Sequence, residues 1–221
     1  MISISGSPKL RTVLPWVTTG VVSTLAVCSW GQEMGWSLSA LNTYSFFPLL
    51  GLVGYSVMWS QYVTSTLKKS FYKDTRLDRF FTQNRDIAVT AIALHPALLV
   101  YAQFRNGHGL PPGSYESFVV ASNAWVTLLG TASLVIFLTF SLYRWCGQKS
   151  WWKYVTRAGD AAMVAMFYHG LRLGSQLQSG WYHYVWIFYG ISLAGILLRK
   201  YVLLPQPSLA GLQNSEQPTH K

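Results

Sequence analysis

The stretch RDIAVTAIALHPALLVYAQFR, from Arg85 to Arg105, carries no charge between its two arginines except Asp86 at its start. At ~1.5 Å of rise per helical residue, residues 86–104 match the ~30 Å hydrocarbon core of a bilayer. His95 stands in the middle, ten residues from each arginine. An ionisable side chain at that depth is costly and usually marks a functional site.

Working outward, the same apolar block length recurs. Six blocks are read, at 13–31, 44–67, 86–104, 118–143, 158–175 and 182–203. They use most of the 221 residues. The chain is 51% hydrophobic and only 11% charged, against about 25% charged for a soluble domain. The expected fold class is therefore all-α, a polytopic membrane helical bundle of six transmembrane helices, with residues 13–203 as one domain. No stretch remains for a soluble catalytic domain.

The net charge of +10 raises the question of nucleic acid, and its distribution answers it. Lys9 and Arg11 precede the first block, and Lys68, Lys69, Lys73, Arg76, Arg79 and Arg85 follow the second. Arg144, Lys149, Lys153 and Arg157 follow the fourth, and Arg199 and Lys200 close the sixth. The alternate loops hold Glu33, Arg105 and Glu116 and little else. This is the positive-inside pattern, and a nucleic-acid stripe would not skip every second loop. Both termini are expected in the cytoplasm, and the loops near 32–43, 105–117 and 175–181 outside. Trp30, Trp36, Trp145, Trp151, Trp152 and Trp181 crowd the block ends like an aromatic belt. The expected location is a cell membrane, crossed several times.

Residues 1–12 read as a cytoplasmic segment and 204–221 as a disordered cytoplasmic tail. The first block is read as an uncleaved helix, although Leu25-Ala26-Val27-Cys28 faintly resembles a lipoprotein cleavage site. Cys28 and Cys146 fall on opposite membrane sides in this topology, which rules out pairing. The 68–85 connector reads either as a short interfacial helix carrying Phe71, Leu77, Phe80 and Phe81, or as a solvated loop.

The fifth block repeats the oddity of the third. His169 lies ten residues beyond Gly159, so both histidines stand roughly 15 Å from the inner border of parallel spans. Two imidazoles at one level suggest the axial ligands of one haem iron. Ala91, one turn before His95, and Ala165, one turn before His169, keep each helix face small enough for a flat ligand or for close helix packing. Their carbonyls are the expected acceptors for the second imidazole nitrogens. Arg172, one turn beyond His169, either pairs with a haem propionate or snorkels to the interface. Arg105 and His108 are weaker candidates. The sequence has no CxxC, HExxH, phosphate-binding glycine loop or CxxCH. Seven acidic residues, nearly all in loops, offer no carboxylate relay for a pump.

WWKYVTRAGDAAMVAMFYHGLRLGS, from Trp151, resembles the ferric reductase-like transmembrane domain: tryptophan, basic residue, two residues, an inner position, then histidine-glycine thirteen residues on. RDIAVTAIALHPALL from Arg85 resembles the third helix of that family, and GTASLVIFLTFSLYRW from Gly130 its fourth. The resemblance covers about 44–203. It implies a six-helix haem b core with two histidines on each of the third and fifth helices, holding two haems. Here the inner positions are Thr156 and either Phe81 or Thr82, so the resemblance implies a single-haem variant ligated by His95 and His169.

Nothing in the sequence resembles the family's FAD and NADPH domains. A b-type cytochrome passing single electrons is therefore expected to draw on a membrane quinone or a separate flavoprotein reductase and to serve an outer-side redox partner. The alternative is a non-enzymatic haem sensor or haem-free membrane scaffold of the same fold.

Overall fold

The computed structural model describes residues 8–37, 39, 41–68, 71–72, 76–117, 119 and 123–203. The expected 204–221 tail and most of the 1–12 segment lie outside them. Among the described residues the protein is all-helical. Its long helices are α1 (Pro8–Glu33), α2 (Thr43–Lys68), α3 (Asp78–Arg105), α4 (Ala124–Thr139), α5 (Trp152–Leu173) and α6 (Trp181–Leu198). Short 3-10 and α turns, Phe140–Leu142 and Tyr143–Cys146, prolong α4, and a π-helical turn, Arg199–Leu203, prolongs α6.

Every apolar block becomes a helix, and the largest differences fall where polar residues join in. α3 begins eight residues before its apolar block, so Asp78–Arg85 form its first two turns rather than a separate interfacial helix or a loop. Asp78 suits the positive end of the helix dipole. Phe80 and Leu77 bury completely in a small cluster with Tyr72. α5 likewise starts at Trp152, six residues before the apolar block, with Lys153 and Arg157 exposed.

Contacts between helices fix their directions. Thr19 and Ser60 hydroxyls meet at 2.5 Å, and the Trp30 indole donates to the Ser45 carbonyl, so α1 and α2 are antiparallel. α2 packs closely along α3, and α4 along α5. Trp59 bonds Ser192 and Ser56 bonds Tyr182, setting α2 parallel to α6. The six helices alternate in direction. Arg11, Lys68, Arg79, Arg85, Lys153, Arg157, Arg199 and Lys200 consequently gather toward one end of the bundle, and the link from α3 to α4 lies at the other.

α2 is the central helix. Gly54 to Ser60 are all buried, and Tyr55, Trp59, Tyr182, Trp186 and Tyr189 form a stacked aromatic core against α6. Gly54 permits this approach on the other side, since a Cβ there would stand 2.9 Å from Ile92 Cγ2. A helix enclosed by protein can satisfy its hydroxyls on its neighbours instead of matching lipid. On α2, Ser60 meets Thr19 of α1 and Ser56 meets Tyr182 of α6 in this way. α1, α3 and α6 with its π turn are each long and apolar enough to cross a membrane, and α4 is a shorter apolar helix. α1, α4 and α6 turn large apolar side chains outward, among them Val17, Val21, Leu128, Val135, Phe188 and Ile191. Such surfaces are compatible with lipid contact.

Candidate functional site: a cavity between two histidines

A cavity of about 400 Å³ lies within the bundle, toward the end away from the basic cluster, and every long helix contributes to its wall. His95 from α3 and His169 from α5 both line it. α3 and α5 are not a closely packed pair; α2, α4 and α6 bridge them. The rest of the wall is mainly apolar, with Leu52, Ile92, Leu134, Phe137, Met166 and Trp186.

The two imidazoles are held in the same way. His95 Nδ1 donates to the Phe47 carbonyl of α2 at 2.7 Å, and His169 Nδ1 to the Val126 carbonyl of α4 at 2.9 Å. A carbonyl only accepts, so each Nδ1 carries the proton and each neutral Nε2 presents its lone pair. Neither Nε2 has a hydrogen-bond partner among the described residues. A ring nitrogen anchored to a backbone oxygen, with the other nitrogen free, is the arrangement of a metal-ligating histidine.

These acceptors correct the sequence expectation, which placed them at Ala91 and Ala165 on the histidines' own helices. The carbonyls there are bonded within the helix; a neighbouring helix supplies a second lone pair more easily. In an α-helix the carbonyl of residue n points toward the N–H of residue n+4, so that residue's side chain decides whether another donor can reach the oxygen. Four residues beyond Phe47 is Gly51, and four beyond Val126 is Gly130. A Cβ on Gly51 would stand 2.9 Å from His95 Nδ1, and one on Gly130 would stand 2.6 Å from His169 Nδ1. Gly51, Gly130, Phe47 and Val126 were missed in the sequence reading. Lone glycines inside apolar blocks were the available signal.

The remaining expected site residues are placed elsewhere. Ala91 is buried facing α2, its Cβ 3.3 Å from where a Cβ on Gly54 would be. Ala165 is half-buried, and neither alanine lines the cavity. Arg172 is exposed and donates to Asn123 Oδ1 at 3.2 Å, outside the cavity wall. Arg105 and His108 are exposed. At the basic end, Thr156 and Thr82 are exposed, Thr156 bonding back to the Trp152 carbonyl, while Phe81 is half-buried beneath Lys68.

Near Thr156, α5 is closely packed against its neighbours. Phe140 sits against Gly159, where a Cβ would come within 2.7 Å of its ring, and meets Trp152 edge-on. The buried Asp160 carboxylate accepts from Tyr62 at 2.7 Å, from Lys200 at 2.5 Å and from Tyr201. Asp160 is thus the hub joining α2, α5 and the π turn.

The donor set bears on which group the cavity suits. Among the described residues no three metal-ligating side chains cluster. A bare metal ion would need more than two imidazoles, whereas a tetrapyrrole brings four in-plane nitrogens and asks the protein for two axial ones. The mainly apolar wall and the paired Nε2 lone pairs fit the second case. Comparisons with protein-family models, curated proteins and solved structures found no match for this chain.

Proposed function

We propose that the chain is an integral-membrane b-type cytochrome in which His95 and His169 are the axial ligands of one haem b between α3 and α5. It crosses a cell membrane six times, with the basic end and both termini in the cytoplasm. The observation that carries this reading is the repeated device at the cavity: an imidazole anchored through Nδ1 to a neighbouring helix's carbonyl, over a glycine, with Nε2 free. The resemblance in the third, fourth and fifth helices points the same way.

Haem bound there supplies reversible one-electron chemistry at its iron. The chain's own residues fix the imidazole tautomers and planes, exclude water with apolar walls, and through burial set the potential. Exposed Thr82 and Thr156 and the phenyl ring of Phe81, none of them an iron ligand like imidazole, favour one haem over two. Electrons then come from a membrane quinol or a flavoprotein docking on the basic loops, and leave to an outer-side redox partner. Arg172, exposed at the outer end of α5 and bonded to Asn123, is available to that partner.

The test is a reduced-minus-oxidised spectrum of detergent-purified protein. A b-type spectrum in the wild type, lost in His95→Ala and in His169→Ala, is expected. Folded, colourless protein after expression with ample haem would refute it and leave a haem-free scaffold. A haem that no quinol or flavin reductase can reduce would indicate a sensor.

A further inference from the structure

The cavity wall contains a polar group with an unmet bond. Tyr55, on α2 one turn beyond Gly51, is 1% exposed, lines the cavity, and its hydroxyl has no hydrogen-bond partner. Its ring is held by Trp186 at 4.5 Å between centroids, and Trp186 in turn lies against Gly170, next to His169. The nearby hydroxyls of Ser56, Tyr182 and Tyr189 bond one another and leave Tyr55 out.

An unsatisfied buried hydroxyl costs about 1–3 kcal/mol. Thr127 Oγ1 is orphaned on the same wall, but a helical threonine relieves itself by rotating onto a carbonyl of its own helix. A tyrosine hydroxyl, at the far end of a rigid ring, has no such recourse, and a group bound in the cavity that Tyr55 lines is the partner that could relieve it.

We propose that Tyr55 is a positioning residue of the cavity, donating its hydroxyl proton in a hydrogen bond to a carboxylate of the bound tetrapyrrole. This rests on the haem reading. The edge of haem b carries only hydrocarbon substituents and two propionates, so a propionate oxygen is the one acceptor there strong enough to satisfy a buried phenol. The bond fixes the rotation of the macrocycle about the axis between the two histidines. It also withdraws negative charge from the iron's surroundings, which favours the ferrous state.

Tyr55→Phe tests this, because it keeps the ring packed on Trp186 and removes only the hydroxyl. The haem-loaded variant should retain its bis-imidazole spectrum, lose haem at least about tenfold more readily, show a shifted propionate bending mode by resonance Raman, and have a lower midpoint potential. Haem-free Tyr55→Phe should melt above the haem-free wild type, since an orphaned hydroxyl is gone. Tyr182→Phe removes another buried hydroxyl, one bonded to Ser56 outside the cavity, and should leave the Raman mode and potential unchanged. A coloured wild type whose Tyr55→Phe variant matches it in Raman mode and potential overturns this inference alone, as does an equal shift in Tyr182→Phe. A colourless wild type overturns the haem reading and this inference together.

Discussion

Gly51 and Gly130 stand one turn beyond the two carbonyls that anchor the imidazoles, and their missing side chains are what let His95 and His169 approach. Glycine inside a helix is otherwise unfavourable, by about 1 kcal/mol relative to alanine. Substitution therefore separates helix stability from site geometry. Gly130→Ala is expected to favour the helix locally yet push the His169 ring off the Val126 carbonyl, and Gly51→Ala to do the same to His95. Losing such an outer anchor typically costs about 10–100-fold in metal affinity, so titrating haem into each variant should show that loss. Affinity equal to wild type would mean that the carbonyl anchors do not matter. The histidines themselves were legible in the sequence because a polar residue stands out in an apolar block. Their anchors were not, because they are backbone atoms of helices whose pairing the sequence does not state. The alanines drew attention by their helical spacing, and Ala91 is used for α2–α3 packing instead.

The helices were legible wherever apolar length alone decides them, as in α1 and α6, whereas α4 occupies only Ala124–Thr139 of the 118–143 block. They were misjudged where packing overrides composition. α3 and α5 extend into charged sequence because Phe80 and Trp152 have buried places to fill. α2 tolerates Ser56, Ser60 and Tyr62 because neighbouring helices satisfy their hydroxyls. The Asp160 hub belongs to the same class: nothing in the sequence joins Asp160 to Tyr62, Lys200 and Tyr201. Asp160→Ala strands three donors from two elements, α2 and the π turn, and is expected to lower stability by about 1–3 kcal/mol, read as a reduced thermal midpoint in detergent. An unchanged midpoint would remove the hub from the account. Gly54→Val, which drives a side chain into Ile92, should separate α2 from α3 at a cost of about 1–3 kcal/mol.

Taken whole, the bundle places its basic residues at one end and its histidine cavity toward the other. The alternation of charge along the sequence foretold the first half of that arrangement. The cavity required six helices to be assembled around it. The orientation has a direct readout: with Cys28 and Cys146 replaced, Asn106→Cys in the α3–α4 link should react with a membrane-impermeant thiol reagent on intact cells, and Ser150→Cys should not. The reverse pattern would invert the topology.

A single haem ligated by both histidines of the cavity that they line is the central proposal. Electron paramagnetic resonance of the oxidised, purified protein, integrated against chain concentration, measures ligation and number together. One low-spin, bis-imidazole ferric centre per chain is expected. No signal in haem-replete protein, a high-spin centre, or two low-spin centres per chain would contradict it.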